Sequence, residues 1–195
     1  MSEQSKSVNF QNTNTWETKQ LVTMALMCAM SALLQFVQIP IIPAMPFLCY
    51  DASLMPAMVC GFAFGPASGI VVGAIASVIH GLILGEWVGT LMNVCATLFF
   101  VWPAAMIYRR KHTFKGAILG LIVGSLCATA GGLLTNLTIG VWFWYGSVEA
   151  IMPMLLPFVL PFNIIKTILN SVLTLIVYKA VSNLITPKKN QVKGR

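Results

Sequence analysis

One lysine lies inside a stretch that is otherwise uncharged. Lys166 falls in FVLPFNIIKTILNSVLTLIVY, residues 158–178, and a helix through this stretch is long enough to cross a bilayer. A charge at such a depth is costly and by default marks a functional site. Asn163 lies three residues before it and Asn170 four after, so a helix puts all three on one face. An ammonium between two amides is a set of directed polar groups suited to an anionic or carbonyl-rich ligand. The competing reading is an amine that snorkels to the external headgroups, a role that needs no amide partners.

Other polar residues are placed to join it. Asn136, in GGLLTNLTIG, lies near the end of another apolar run, and Asn93 lies about two turns beyond Glu86. An asparagine in lipid must find partners, and interhelical bonding alone would satisfy that need. Asp51 and Glu86 stand beside apolar runs rather than inside them. Asp51 precedes Ala52 and Ser53 at a helix start, so it reads either as an N-cap or as an acceptor for a ligand hydroxyl or imide N–H. Glu86 is open between pairing with Lys166, binding ligand and a wet loop position. Trp142, Trp144 and Tyr145 suit an interfacial aromatic belt or a lid over a flat molecule.

Metal chemistry finds no support. Cys28, Cys49, Cys60, Cys95 and Cys127 lack ligand spacing, and neither His80 nor His112 has a partner at useful spacing. Enzyme chemistry is equally poorly served, because HExxH, GxSxG, a Walker A loop and clustered in-membrane carboxylates are all missing. Active transport by such a chain would need ion coupling or a separate ATPase. Ion coupling usually rests on acids within the spans, and none stands clearly inside one, so borrowed energy is favoured.

The elements that must position these residues are membrane helices. Apolar residues make up 57% and charged residues 9% of 195 residues, against roughly 45–50% and 25% in soluble domains. The expected fold is an all-α integral membrane protein with six transmembrane helices. Residues 1–18 form a polar segment, 19–180 the membrane domain and 181–195 a basic tail. Span one covers about 20–39. The uncharged stretch 52–85 is too long for one upright span, and CGFAFGPASG at its centre marks a tight turn. It divides into two shortish helices, about 53–64 and 67–84. Span four covers about 87–108, span five about 116–138 and span six about 160–178, with a wet or interfacial connection between the last two. If the sixth helix starts near Pro161, Lys166 lies one or two turns inside its outer end.

Charge orients this arrangement. Six spans place both termini on one side, together with the loop holding Arg109, Arg110, Lys111 and Lys115, and with Lys19 and the basic tail. Positive-inside bias makes that side cytoplasmic. The net charge of +7 is therefore a topology signal, with no nucleic acid implied. Span one also carries Ala25, Ala29 and Ala32 at helical spacing. Such a face of small residues permits close helix packing against another protein in the bilayer.

Four segments carry a family resemblance: LCYDASLMPAMVCGFAFGPASG (48–69), GEWVGTLMN (85–93), WPAAMIYRRKHTFKGAILGLIVG (102–124) and LPFNIIKTILNSVLTLIVYK (160–179). The chain resembles the substrate-binding S component of an energy-coupling factor (ECF) vitamin transporter, most of all the riboflavin-specific branch. The resemblance implies a prokaryotic cell-membrane protein that captures riboflavin from outside. It implies a transmembrane coupling subunit and two cytoplasmic ATPase subunits as partners, with ATP used by those subunits and no cofactor in this chain. Carried over, Lys166 and Asn163 of the LPFNIIK block contact the flavin, Asn136 is the span-five asparagine, and the YD pair contributes Tyr50 and Asp51. Ala25 and Ala29 correspond to the docking motif of helix one, and the loop between spans one and two covers the pocket. The third helix departs from the branch: where riboflavin-type members carry acidic, lysine and asparagine residues, this chain reads VVGAIASVIHGLI with His80 as its one ionisable group. A different vitamin or small heterocycle is the alternative ligand, and a structural or assembly protein of the membrane is the alternative of another class.

Overall fold

The computed structural model describes residues 17–185, with side chains as far as Tyr178. The polar N-terminal segment up to residue 16 and the basic tail with Lys188, Lys189, Lys193 and Arg195 lie outside the described residues.

The chain is a helical bundle. Helix α1 (Thr18–Phe36) leads into a minimal hairpin in which Ile39 pairs with Tyr50 and Pro40 with Cys49, as antiparallel strands β1 (Ile39–Pro40) and β2 (Cys49–Tyr50). Helices α2 (Leu54–Phe64), α3 (Pro66–Leu84), α4 (Trp87–Arg110) and α5 (Phe114–Thr135) follow. The chain then widens into a π-helical stretch, Asn136–Tyr145, before α6 (Val148–Met154), a second π stretch, Leu155–Val159, and α7 (Leu160–Ile185).

Local sequence explains the breaks. Gly65, with φ of 100°, separates α2 from α3, and Pro66 opens α3 at the position where its missing N–H costs nothing. Gly85 (φ 73°) closes α3 in the left-handed conformation that glycine adopts cheaply. Thr113 caps α5 by accepting the Gly116 N–H at 3.1 Å. Pro153, Pro157 and Pro161 recur every fourth residue. None can donate the i→i−4 bond, so the α pattern is interrupted along one face and the turn widens between them.

Five helical stretches are long and apolar enough to cross a membrane: Thr18–Phe36, Pro66–Leu84, Trp87–Arg110, Phe114–Tyr145 and Val148–Tyr178. Five of the six expected spans are thus long and apolar enough to cross on their own. The division of 52–85 into two helices holds, but α2 has only 11 residues, about 16 Å of rise against a core of about 30 Å. The Phe36 ring lies 4.9 Å from the His80 ring, so α1 and α3 end at the same side of the bundle. The chain must therefore return between them, and α2 with the extended segment before it makes that return.

A correction concerns the secondary structure of residues 139–158. The expected wet or interfacial connection is helical almost throughout, with only Gly146 and Ser147 outside helix, and Ser147 caps α6. Pro161 accordingly lies inside a continuous helical path rather than at its start.

The core is small-residue packing. Residues of α2, α3, α4 and α5, among them Ala57, Met58, Val72, Ala76, Phe100, Val101, Ala104 and Ala117, form one buried cluster. Large apolar side chains such as Leu26, Leu33, Leu82, Trp102, Leu126 and Ile176 face outward, which is the inverse of a water-soluble surface and suits lipid contact.

Candidate ligand cavity

At the end of the bundle where α1 and α3 meet the hairpin, a cavity of about 510 Å³ opens, within the usual 300–1,000 Å³ of small-molecule sites. The loop side supplies Gln38, Pro46, Phe47, Leu48, Cys49 and Asp51, and the helices supply the remaining walls. The loop after span one thus roofs the pocket. Of the sequence candidates, Lys166, Asn163, Asn136, Asp51, Glu86 and Asn93 all line it, whereas Tyr50 does not. Tyr50, in β2 of the hairpin, is buried, and burial and the neighbouring Asp51 charge push its hydroxyl pKa up.

Lys166 is the hub. It is 8% exposed, and its Nζ donates to Asp51 Oδ2 at 2.7 Å and to Asn93 Oδ1 at 3.4 Å. This ion pair settles two open readings. The partner of Lys166 is Asp51 rather than Glu86, and the amine is held inside the protein instead of snorkelling. Asp51 is not the N-cap of α2. That position belongs to Ser53, whose N–H and hydroxyl both donate to Asp51 Oδ1. Burial alone would raise the Asp51 pKa, but the Lys166 ammonium and the two Ser53 donors outweigh it and hold the carboxyl below its usual range.

Asn170 completes the anchor. It is fully buried, and its Nδ2 donates to the Asp51 and Lys166 backbone carbonyls, each at 3.0 Å. The stripe read from sequence therefore splits its work: Asn163 and Lys166 face the cavity, and Asn170 fastens the loop to α7 behind it.

Asn136 and Asn163 bond back to their own helices, through Nδ2 to Gly132 O and to Val159 O, each at 2.8 Å. Gly132 lies in the last turn of α5 and Val159 ends the second π stretch, and both amides also line the cavity. Gly132 makes this possible, since a Cβ there would collide with the Asn163 side-chain amide. We expect Gly132→Ala to displace Asn163 and weaken ligand binding about tenfold, with the fold retained. Equilibrium binding beside a circular-dichroism melt measures both.

Sequence reasoning missed Gln38, His80, Thr135, Phe47, Met92 and Phe162 as cavity residues. The aromatic reading divides: Trp144 and Tyr145 line the cavity, while Trp142 is 85% exposed, as a belt residue would be. Of the small-residue face, Ala25 and Ala29 are exposed but Ala32 is buried in the core. Ala32 therefore leaves that face.

The model of the family described as ECF transporter, substrate-specific component, matches residues 19–178. The chain belongs to this family. Among its relatives, riboflavin transporter RibU of Staphylococcus aureus (strain TCH60) is 32% identical over 114 residues, covering 58% of this chain and 60% of that one. Riboflavin transporter RibU of Streptococcus thermophilus is 32% identical over 132 residues, covering 66% and 61%. Riboflavin transporter FmnP of Bacillus subtilis is 29% identical over 118 residues, covering 58% and 62%. The aligned stretch thus spans about 60% of the length of these curated relatives. A solved S component of a bacterial ECF transporter superposes with a TM-score of 0.75 at 29% identity, over 87% of this chain and 98% of that one. The family is one of membrane transporter components, so the reading as a structural or assembly protein falls away and no enzyme is implied.

Proposed function

We propose that this chain is the riboflavin-binding subunit of an ECF-type uptake transporter. The observation that carries the reading is the cavity itself. A buried ammonium and the side-chain amides of Gln38, Asn93, Asn136 and Asn163 line a pocket with Phe47, Trp144, Tyr145 and Phe162 in its walls, in a chain whose relatives are riboflavin transporters. An isoalloxazine ring is flat and apolar on its faces and carries imide N–H and carbonyl groups along one edge. Aromatic walls with directed polar groups at one pole suit it.

Capture requires the cavity to face the outside. The bases at the end of α4 and the start of α5, Arg109, Arg110, Lys111 and Lys115, support this, because positive-inside bias puts them in the cytoplasm. The cavity-lining Glu86 precedes α4, at its other end. Both termini are then cytoplasmic, and the membrane is that of a prokaryotic cell. The energy comes from a transmembrane coupling subunit and two cytoplasmic ATPases that use ATP, with Ala25 and Ala29 on an exposed face of α1 available for docking. A second reading, another vitamin-like heterocycle in the same pocket, is favoured by the third helix, where His80 stands in place of the branch's charged residues.

The deciding experiment is ligand depletion with the purified full chain and a vitamin panel. Riboflavin should be withdrawn from solution with its fluorescence quenched, and thiamine, biotin and folate should not. A chain that leaves riboflavin free and withdraws another compound would establish the second reading.

A further inference from the structure

The end of the bundle away from the cavity is built around bases. Helix α4 finishes on Arg109 and Arg110, three residues follow, and α5 starts at Phe114 with Lys115 in its first turn. Arg109, Arg110, Lys111 and Lys115 are all exposed. Acids do not answer them. Among the described residues the one ion pair is Lys166 with Asp51, and Glu86 precedes α4 at its other end. Glu17, at the same end as the bases, is joined to Gln20 in the capping box of α1.

The turn that carries these charges is firmly held. The Lys111 N–H donates to the Ile107 and Tyr108 carbonyls, each at 3.1 Å, and the Thr113 N–H donates to Lys111 O at 2.7 Å. A Cβ at Gly116 would collide with the Lys111 carbonyl oxygen, so the turn packs directly on α5. Beneath it the hydroxyls of Tyr108 and Tyr178 share a hydrogen bond, and the His112 ring stands edge-on to Tyr108 at 5.3 Å. Bases on so short and fastened a connection keep their spacing, and an anion that meets them has little left to order.

The helices below decide which anion fits. Leu98, Trp102 and Arg109 share one exposed face of α4, and Lys115, Leu119, Ile122 and Leu126 share one exposed face of α5. Each face is apolar along its length and ends in a base at the turn. An acyl chain lying on either face brings its headgroup to that turn, with Trp102 about 10 Å deeper than Arg109. An acidic protein segment would meet the bases but leave both apolar faces uncovered.

We infer that the α4–α5 turn is a headgroup site for anionic phospholipid. The phosphate is gripped by Arg109 and Arg110, whose planar forks suit it, and Lys111 and Lys115 add charge. Positive-inside bias puts the site in the cytoplasmic leaflet. Each base at such a surface strengthens attraction to anionic lipid about fivefold. The site goes beyond the flavin reading and does not depend on it.

The test is lipid retention by the full chain in nonionic detergent, read by native mass spectrometry. The probes are dioleoyl phosphatidylglycerol and dioleoyl phosphatidylcholine, which share their acyl chains and differ in headgroup charge. The wild-type chain should hold phosphatidylglycerol at least about tenfold more tightly, with the preference shrinking as ammonium acetate is raised. The double variant Arg109→Gln with Arg110→Gln should cut that preference at least about fivefold. Lys111→Gln with Lys115→Gln should cut it in the same direction from the other side of the turn. Lys19→Gln, which removes an exposed base of α1 at the same end, should leave it within about twofold. A wild-type chain that holds the two lipids alike would overturn the site, as would an unchanged preference in both double variants. An equal loss in Lys19→Gln would assign the preference to the whole basic end and overturn the turn as its seat. Glycerol phosphate that displaces phosphatidylglycerol at equal concentration would show a site for free phosphate esters. Hexaglutamate that does so would show one for an acidic protein segment. Either displacement overturns the lipid assignment.

Discussion

Replacing Lys166 with methionine is expected to remove flavin binding and to destabilise the protein by about 3–5 kcal/mol, the usual consequence of stripping one partner from a buried ion pair. Methionine fills the aliphatic volume but leaves the Asp51 carboxylate, buried with Lys166 as its counter-ion, facing a low-dielectric wall. Asn170 still holds the Asp51 backbone and Ser53 still donates to its side chain, so the damage is electrostatic rather than geometric. The double variant Lys166→Met with Asp51→Asn removes both charges and should recover most of the stability while staying inactive. Thermal melts in detergent of the wild type, both single variants and the double variant close the cycle. Additive losses would show that the pair is not coupled. The pH dependence follows from the same pair. The folded-state pKa of Asp51 lies below its unfolded value of about 3.9. The stabilisation is therefore complete above that value and is lost only as pH falls through the folded one. Between about pH 8 and 5 the contribution of Asp51 should be constant.

The second large effect is steric. Gly69→Ala would put a Cβ 2.5 Å from the Ala57 carbonyl oxygen, 2.7 Å from a Val101 methyl and 2.9 Å from the Gly61 Cα. Two of these three atoms belong to the backbone of α2, so no rotamer change relieves the contact. Either α2 shifts or the α2–α3 turn opens, and overpacking of this kind costs about 1–3 kcal/mol or more. Because α2 follows directly from Asp51 and Ser53, the shift should also loosen the Lys166 anchor. The expected result is a lower melting temperature together with weaker riboflavin binding. Gly65→Ala gives a contrast, since a Cβ there meets nothing within 4 Å and the cost comes from its φ of 100° alone. A Gly69→Ala chain that melts and binds as the wild type does would show that α2 and α3 are not packed this closely.

How far the sequence led can be judged from these residues. The hydrophobic runs and the Gly65–Pro66 punctuation placed most helices, because both signals are local. The stripe of Asn163, Lys166 and Asn170 was legible for the same reason: helical periodicity needs only one segment. The partner of Lys166 was not, since Asp51 lies 115 residues away and Glu86 offered the same charge. Gln38 and His80 were hidden for a similar reason. Each looks ordinary alone, and only the parallel course of α1 and α3 brings them to one cavity. Small residues suggested a free face on α1 with Ala32 on it, but sequence spacing cannot say where the core begins around a helix. The connection before α7 was misread where proline mattered. Three prolines at four-residue spacing read as a loop, yet a helix that widens its turns can absorb them.

Those widened turns bear on how the binding site can change over evolutionary time. A π turn holds one residue more than the α turn it replaces, so losing a single codon between 136 and 145 can be taken up by tightening a turn. The helix ends then stay where they are, and the side chains within the tightened turn are re-aimed. Trp144 and Tyr145 would swing relative to the cavity without the bundle being rebuilt. Length variation in this stretch is therefore a cheap route to a new ligand, a form of diversification that substitution-by-substitution comparison would overlook.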